Sequence, residues 1–143
     1  MDMLSTKQIG TITEYECAVF LMKLGCSISV PIGENNPYDL IIDVNNKLYR
    51  IQCKHSRSVE GGFQFSCEST RINATSIKVS KYSADEIDYF GTMFEGTCYL
   101  VPVGLCRSEC KLRICPPKNG QLSKINWAKD YEASVILQNL RNT

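Results

Sequence analysis

The sequence is poor in several features that would assign it to particular protein classes. Its formal net charge is only +1, from 16 Lys and Arg against 15 Asp and Glu, so no strongly basic segment marks it as a nucleic-acid binder. No apolar run approaches the roughly 20 residues that a membrane-spanning helix requires. We find no internal repeat, low-complexity tract or linker. A composition of 43% hydrophobic and 22% charged residues predicts one globular domain over residues 1–143.

Histidine is nearly absent as well, which limits the metal chemistry open to the 8 cysteines, because His55 is the only histidine. Cys106, Cys110 and Cys115 are loosely spaced, whereas tetrahedral zinc sites use four ligands in closer pairs. The N-terminal residues are polar up to Ile9 and lack a signal-peptide pattern, which predicts a cytoplasmic location and reduced thiols. We therefore interpret most cysteines as small core hydrophobes rather than zinc ligands.

Alternating apolar residues on both sides of Asn45-Asn46 predict a β-hairpin that extends from Asp39 to Lys54. If the two asparagines form the whole turn, Asp39 lies opposite Gln52, and Lys54 shares their face of the hairpin. A carboxylate, an amide oxygen and an ammonium roughly 5 Å apart could hold a divalent cation and a water. The other face is apolar and predicts a core face. An ordinary hairpin with a solvated outer face is the alternative interpretation.

A third candidate side chain comes from the N-terminal segment, where apolar periodicity predicts a helix from Thr6 to Gly25, capped by Ser5 or Thr6. Glu14 shares a helical stripe with Cys17 that we expect to pack against the sheet. A buried carboxylate is costly unless a positive group meets it, and a metal ion or a lysine could do so. Alternatively, Glu14 lies at the edge of the stripe and is solvated.

The remaining segments complete the expected fold. Alternating or apolar residues predict three further strands, at residues 63–67, 97–103 and 111–115. Capping chemistry at Ser83 predicts a short helix to about Phe94, residues 127–140 predict a C-terminal helix, and the polar segment 71–82 predicts a loop. We expect an α/β (α+β) fold with a central mixed sheet of about five strands. The first helix is expected on one face of this sheet and the later helices on the other.

The order of these features resembles the PD-(D/E)XK nuclease superfamily. The residues that carry the resemblance are Gly10-x-x-x-Glu14 in the helix, Pro37-Tyr38-Asp39, and Gln52-Cys53-Lys54. The chain looks most similar to the small group I intron homing endonucleases and Holliday-junction resolvases of this superfamily. It departs from the general motif at two positions, since Tyr38 separates Pro37 from Asp39 and Gln52 replaces an acid. The resemblance implies a restriction-endonuclease-like core.

The resemblance also implies a function, namely a Mg²⁺-dependent DNA endonuclease that hydrolyses phosphodiester bonds, with Mn²⁺ as a substitute ion. The implied catalytic residues are Glu14, Asp39, Gln52 and Lys54. Asp39, Glu14 and Gln52 would bind the metal, and Lys54 would position or deprotonate the attacking water. An amide at Gln52 removes one negative charge, so we expect weaker metal binding than with three acids.

Double-stranded DNA is the expected partner, in a homodimer or tetramer, because one site per chain must make two cuts. The candidate DNA-binding residues are Lys7, Arg57, Arg71, Asn73, Lys78 and Lys81, and Arg50 lies in the same candidate surface. A sequence-specific homing role is the first hypothesis and a junction resolvase the second. The competing hypothesis is a catalytically silent DNA-binding protein on the same scaffold.

Overall fold

The structure, a computed structural model, describes residues 3–72 and 74–143, so the predicted DNA contact Asn73 lies outside the described residues. The helices are α1 (Thr6–Lys23) and α2 (Ala133–Arg141), and a short 3-10 helix spans Ala128–Asp130. The strands are β1 (Ser27–Ser29), β2 (Leu40–Val44), β3 (Lys47–Cys53), β4 (Arg57–Val59), β5 (Gly62–Ser66), β6 (Glu68–Ile72), β7 (Ile77–Lys81), β8 (Tyr89–Phe94), β9 (Thr97–Pro102) and β10 (Glu109–Arg113).

Helix α1 begins at a capping box. The Ser5 hydroxyl accepts a hydrogen bond from the Gln8 backbone N–H at 3.1 Å, and the Gln8 side-chain oxygen accepts one from the Ser5 backbone N–H at 2.7 Å. The helix ends where Gly25 adopts a left-handed conformation, with φ of 91°. The predicted helix and its Ser5 cap are confirmed.

A mixed five-stranded sheet with the order β1-β2-β3-β8-β9 forms the centre of the fold. Strand β3 pairs with β8 in parallel, and the other neighbours pair antiparallel. The predicted hairpin register is confirmed, because Val44 pairs with Lys47 and both turn residues, Asn45 and Asn46, have positive φ. The pair Leu40 and Ile51 is at the open end of the hairpin, and Asp39 is the residue immediately before Leu40.

Both helices lie on one face of this sheet. Cys17 and Leu21 of α1 and Leu137 of α2 are fully buried in a single cluster with Ile42 and Ile51 of the central strands. The expectation that the later helix covers the opposite face is therefore wrong. The apolar residues of α2 pack against the same face of the sheet as those of α1. Another element must therefore cover the second face.

A three-stranded sheet with the order β10-β5-β4 covers the second face. Its Phe63 and Leu112 are fully buried together with Phe90 and Tyr99 of the central sheet, and the Phe63 and Tyr99 ring centroids are 4.8 Å apart. The molecule thus has two apolar cores, one under the helices and one between the two sheets.

The predicted helix over residues 83–94 is wrong. Its capping chemistry exists, since the Glu86 carboxylate accepts a hydrogen bond from the Ser83 N–H at 3.1 Å, but it supports only a turn. Strand β8 begins at Tyr89, because this apolar segment pairs with β3 on one side and β9 on the other. Pairing on both sides outweighs a local helix signal.

The predicted loop over residues 71–82 is wrong for residues 71–72 and 77–81, which belong to a two-stranded antiparallel sheet made of β6 and β7. We call β6 and β7 the hairpin arm. Every residue of β7 is exposed, including the apolar Ile77 and Val79. At the C-terminus, the predicted helix over 127–140 divides into the 3-10 helix and α2. None of the described helices is both long and apolar enough to cross a membrane.

Candidate active site

Asp39 is fixed in place by the backbone of the neighbouring strand. Its N–H donates to the carbonyl of Ile51 at 2.8 Å, and its Oδ2 accepts a hydrogen bond from the N–H of Cys53, also at 2.8 Å. Both contacts are to β3, so the strand that carries Gln52 and Lys54 sets the position of this carboxylate. The predicted pairing of the hairpin is what brings the backbone groups into reach.

Glu14 of α1 lies close to Asp39, since each carboxyl group affects the pKa of the other. Burial of Glu14 and the nearby Asp39 charge raise the pKa of Glu14 to about 7. The pKa of Asp39 is also raised by burial, although hydrogen bonds from Cys53 and Glu14 and the charge of Lys54 oppose the rise. Glu14 is therefore half-buried, near a second acid on one side and on an open groove on the other.

Lys54 extends from the end of β3 and is half-buried. Its Nζ donates to the backbone carbonyl of Glu68 at 2.8 Å and lies 5.1 Å from the centroid of the Tyr82 ring. Burial lowers the pKa of Lys54, and the negative charge of Asp39 opposes this effect. An amine with a lowered pKa beside a carboxylate is typical of functional sites.

Gln52 lies on β3, two residues before Lys54 in the chain, and is half-buried. Its amide nitrogen donates to the carbonyl of Cys53 at 3.4 Å, a long contact with its own strand. Its backbone position pairs in parallel with Phe90 of β8. The departure from the acidic motif therefore leaves a neutral amide on the strand that leads to Lys54.

The acid pair has the donor chemistry of a hard divalent cation site. Two carboxylates that repel each other in a partly buried position fit Mg²⁺, which is usually bound by one or two protein carboxylates plus waters and substrate phosphates. Within residues 3–72 and 74–143, no group of three or more His, Cys, Asp and Glu side chains is arranged to hold a metal ion. An ion at the pair would take its other ligands from an amide, water or DNA.

A groove of about 370 Å³ opens beside the acid pair, between α1 and the segment that joins β1 to β2. Its lining includes Glu14, Asp39, Lys7, Gly10 and Asn36. A Cβ at Gly10 would have no heavy atom within 4 Å, so this position leaves the groove open. The spacing of Gly10 and Glu14, one helical turn apart, signalled this shared face, whereas nothing in the sequence indicated Asn36.

The predicted DNA-binding residues fall in different places. Lys7 lies on the groove with the acid pair, and Lys78 and Lys81 are exposed on the hairpin arm. Arg71 pairs with Lys78 in the register of the arm, and Glu68 pairs with Lys81.

Two of the predicted arginines form ion pairs within the protein. Arg57 on β4 forms an ion pair with Glu109 at 3.5 Å. Arg50 forms an ion pair with Asp88 at 3.3 Å and donates to the carbonyls of Ala84 and Asp85. These contacts hold Arg50 against the turn that leads into β8.

This fold, with an acid pair and a lysine converging from α1 and the central hairpin, is that of a PD-(D/E)XK nuclease. The chain belongs to this family, since the family model described as PD-(D/E)XK endonuclease matches residues 4–134. Among solved structures it is similar to a bacterial homing endonuclease, I-Ssp6803I, with 26% sequence identity, 98% of each chain covered and a TM-score of 0.77. No curated protein matches the chain. The predicted resemblance and fold class are confirmed, and the protein is a nuclease by family.

Proposed function

We propose that the protein is a Mg²⁺-dependent, sequence-specific endonuclease of the homing type that hydrolyses phosphodiester bonds in double-stranded DNA, with the whole chain as one such domain. The observation that supports this most directly is the proximity of the Glu14 and Asp39 carboxyl groups, with Lys54 beside Asp39. A raised pKa on a partly buried acid pair is expected where a cation belongs. The likeness to a homing endonuclease supports the homing role.

In this proposal, Asp39 and Glu14 hold the metal ion and Gln52 turns its amide oxygen toward the ion or a water. The bound ion would supply polarisation of a phosphoryl oxygen and acidification of a water. Asp39 is held by two backbone contacts with β3, so it needs little reorganisation to act as a ligand. Lys54, with its pKa lowered by burial, is suited to accept a proton from the attacking water or to offset charge on the phosphate.

We propose the hairpin arm as the DNA-reading element. A two-stranded β-ribbon fits the major groove of B-DNA, which is about 12 Å wide. Arg71 and Lys78 occupy directly opposed positions in the arm. The exposed Lys78 is free of the core and is placed to contact a phosphate or a base edge that accepts hydrogen bonds. Lys7, on the groove beside the acid pair, is placed to contact the backbone near the scissile phosphate.

We also propose a homodimer or a tetramer. Each chain offers one acid pair, and cleavage of both strands of a duplex needs two. Two-fold symmetry between the subunits would favour a symmetric or nearly symmetric target sequence.

Cleavage assays test this function. We expect the protein to nick supercoiled DNA with Mg²⁺ or Mn²⁺ and to bind without cleavage in Ca²⁺. Asp39→Asn should abolish cleavage and Lys54→Ala should reduce it to a slow residual rate, while DNA binding persists in both variants. Asp43→Asn is the matched control, since Asp43 lies on β2, four residues after Asp39, and is exposed. Sequencing the cut ends from a library of random duplexes would then show whether cleavage is confined to one site.

The departure at Gln52 favours one alternative, a silent DNA-binding protein on this scaffold. Binding that persists while none of these ions supports cleavage would establish that alternative. Cleavage of four-way junctions in preference to linear duplex would establish the resolvase hypothesis instead.

A further inference from the structure

Lys54 is held at two points, and both belong to the base of the hairpin arm. The carbonyl that accepts its hydrogen bond is that of Glu68, the first residue of β6. The ring that faces its ammonium is that of Tyr82, which directly follows Lys81, the last residue of β7. Glu68 and Lys81 are themselves a pair in the arm. The two strands of the arm therefore begin and end beside the candidate catalytic amine.

The Tyr82 ring is anchored to the central sheet. It contacts Phe90 edge to face, with the ring centroids 5.6 Å apart and an interplanar angle of 85°. Phe90 is only 2% exposed and pairs with Gln52 across β3 and β8. The ring thus bridges the arm and the strand pair that carries the site, and its position does not depend on Lys54.

Both contacts act on a side chain that otherwise has considerable freedom. A lysine ammonium is a compact charge on a flexible four-carbon stem. Without other partners, the negative charge of Asp39 would draw this ammonium toward the acid pair, where it would compete with a metal ion. One hydrogen bond to the Glu68 carbonyl and an electrostatic contact with an aromatic face keep it to one side. Two of its three N–H donors remain for water and phosphate.

We propose that Tyr82 is a positioning residue for Lys54, and that the base of the hairpin arm makes the placement of this lysine depend on how the arm sits on DNA. This inference rests on the proposed function. It extends the site to a residue outside the family motif. In this arrangement the same arm that contacts the duplex holds the amine at the acid pair, so target binding and the chemical step share a structural element.

Two substitutions of Tyr82 separate the ring from its hydroxyl. Tyr82→Leu removes the aromatic face, and Tyr82→Phe keeps it. We expect Tyr82→Leu to lower the single-turnover cleavage constant about 30-fold, because misplacement by roughly 1 Å can cost on the order of 100-fold in rate. The Kd for DNA in Ca²⁺ should change less than about 3-fold, since the arm keeps its charges. Tyr82→Phe should cleave close to the wild-type rate.

A double-mutant cycle distinguishes positioning from a general structural role. In a Lys54→Ala background, Tyr82→Leu should have no further effect on residual cleavage, because the lysine it positions is gone. If the Tyr82→Leu variant cleaves as fast as the wild type, the inference is wrong. Equal losses in the Leu and Phe variants, or a full additional loss in the Lys54→Ala background, would overturn it too.

A readout independent of activity protects the test against misfolding and against failure of the proposed function. The ε-methylene protons of Lys54 should show an upfield ring-current shift in the NMR spectrum, retained in Tyr82→Phe and lost in Tyr82→Leu. Dispersed amide signals in the Leu variant would show that it is folded. If the wild type cuts no DNA, the proposed function fails. The ring-current shift then decides by itself whether Tyr82 holds Lys54, and its absence in the wild type would overturn the inference.

Discussion

The acid pair and the hairpin arm differ in how firmly the rest of the protein holds them. Around Asp39, backbone groups of β3 satisfy the carboxylate, and a fully buried core cluster lies under the strand. The arm has less support, because its strand β7 is exposed at every position and its contacts with the central sheet are at its base. Lys54 lies between the two regions, attached covalently to the first and held by the second. The rigid region suits chemistry, which requires fixed geometry, and the exposed region suits recognition of a long partner.

This comparison predicts that substitutions in the two regions fail in different ways. Changes at the acid pair should lower the rate and leave DNA binding intact. Changes at the arm should weaken binding, with less effect on the rate once DNA is saturating.

The largest expected effect is that of Glu14→Gln. The substitution keeps the shape of the side chain but removes one of the two carboxylates, so we expect cleavage to fall at least about 1,000-fold. The Kd for DNA in Ca²⁺ should remain within about 3-fold of the wild-type value. Single-turnover cleavage and filter binding would measure the two quantities. Glu16→Gln is the matched control on the same helix, because Glu16 is exposed. Substantial cleavage by Glu14→Gln would remove Glu14 from the site.

A smaller effect is expected when Gln52→Glu restores the acid of the general family motif. A third negative charge beside Glu14 and Asp39 should tighten metal binding about 10-fold, equivalent to about 1.4 kcal/mol. Calorimetric titration with Mg²⁺ or Ca²⁺ would measure this change. Gln64→Glu, at a half-buried position on β5, serves as the control for added charge alone. Unchanged metal affinity in Gln52→Glu would show that residue 52 does not face the ion.

On the arm, Lys78→Ala should weaken DNA binding about 3- to 10-fold and reduce the slope of log Kd against log salt by about 0.9, the value for one phosphate contact. The cleavage rate at saturating DNA should stay near the wild-type value. Lys118→Ala is the control, because the Lys118 side chain is 93% exposed and lies far along the chain from the arm. An unchanged salt slope in Lys78→Ala would argue that the arm does not contact the DNA backbone.

The sequence revealed the acid pair because its geometry follows from local rules. The turn at Asn45-Asn46 fixes the register of β2 and β3, and the helical stripe directs Glu14 toward the sheet. Each rule needs only residues that are close in the chain. One prediction concerns the helix and the other the hairpin, and together they bring Glu14 close to Asp39.

The parts that sequence reasoning missed depend on pairing between distant segments. Residues 83–94 carry a helix-capping signal, yet the end of this segment pairs with β3 and β9 and forms a central strand. Residues 71–82 are mostly polar and suggested a loop, because the short alternation at Ile77 and Val79 is a weak strand signal. With the arm unrecognised, nothing in the sequence could place Tyr82 beside Lys54.

The smallest expected effect concerns stability in the metal-free protein. The pKa of Glu14 is raised from its ordinary value of 4.5 to about 7, so the folded protein binds more protons than the unfolded chain between these values. Stability should therefore be greatest below about pH 4.5 with respect to this group, fall as the pH rises to about 7, and then level off. The raised pKa of Asp39 acts in the same direction.

Thermal denaturation in chelator at pH 5 and at pH 8 would measure the effect as a fall in Tm of about 3–6 °C. Because Glu14→Gln removes the titrating group, its Tm should change less over the same range, while Glu16→Gln should behave like the wild type. Mg²⁺ should reverse the fall at pH 8, since an ion that binds the ionised pair stabilises the folded state. A Tm of the metal-free wild type that rises between these pH values would contradict the raised pKa of Glu14, and with it the close approach of the two carboxyl groups.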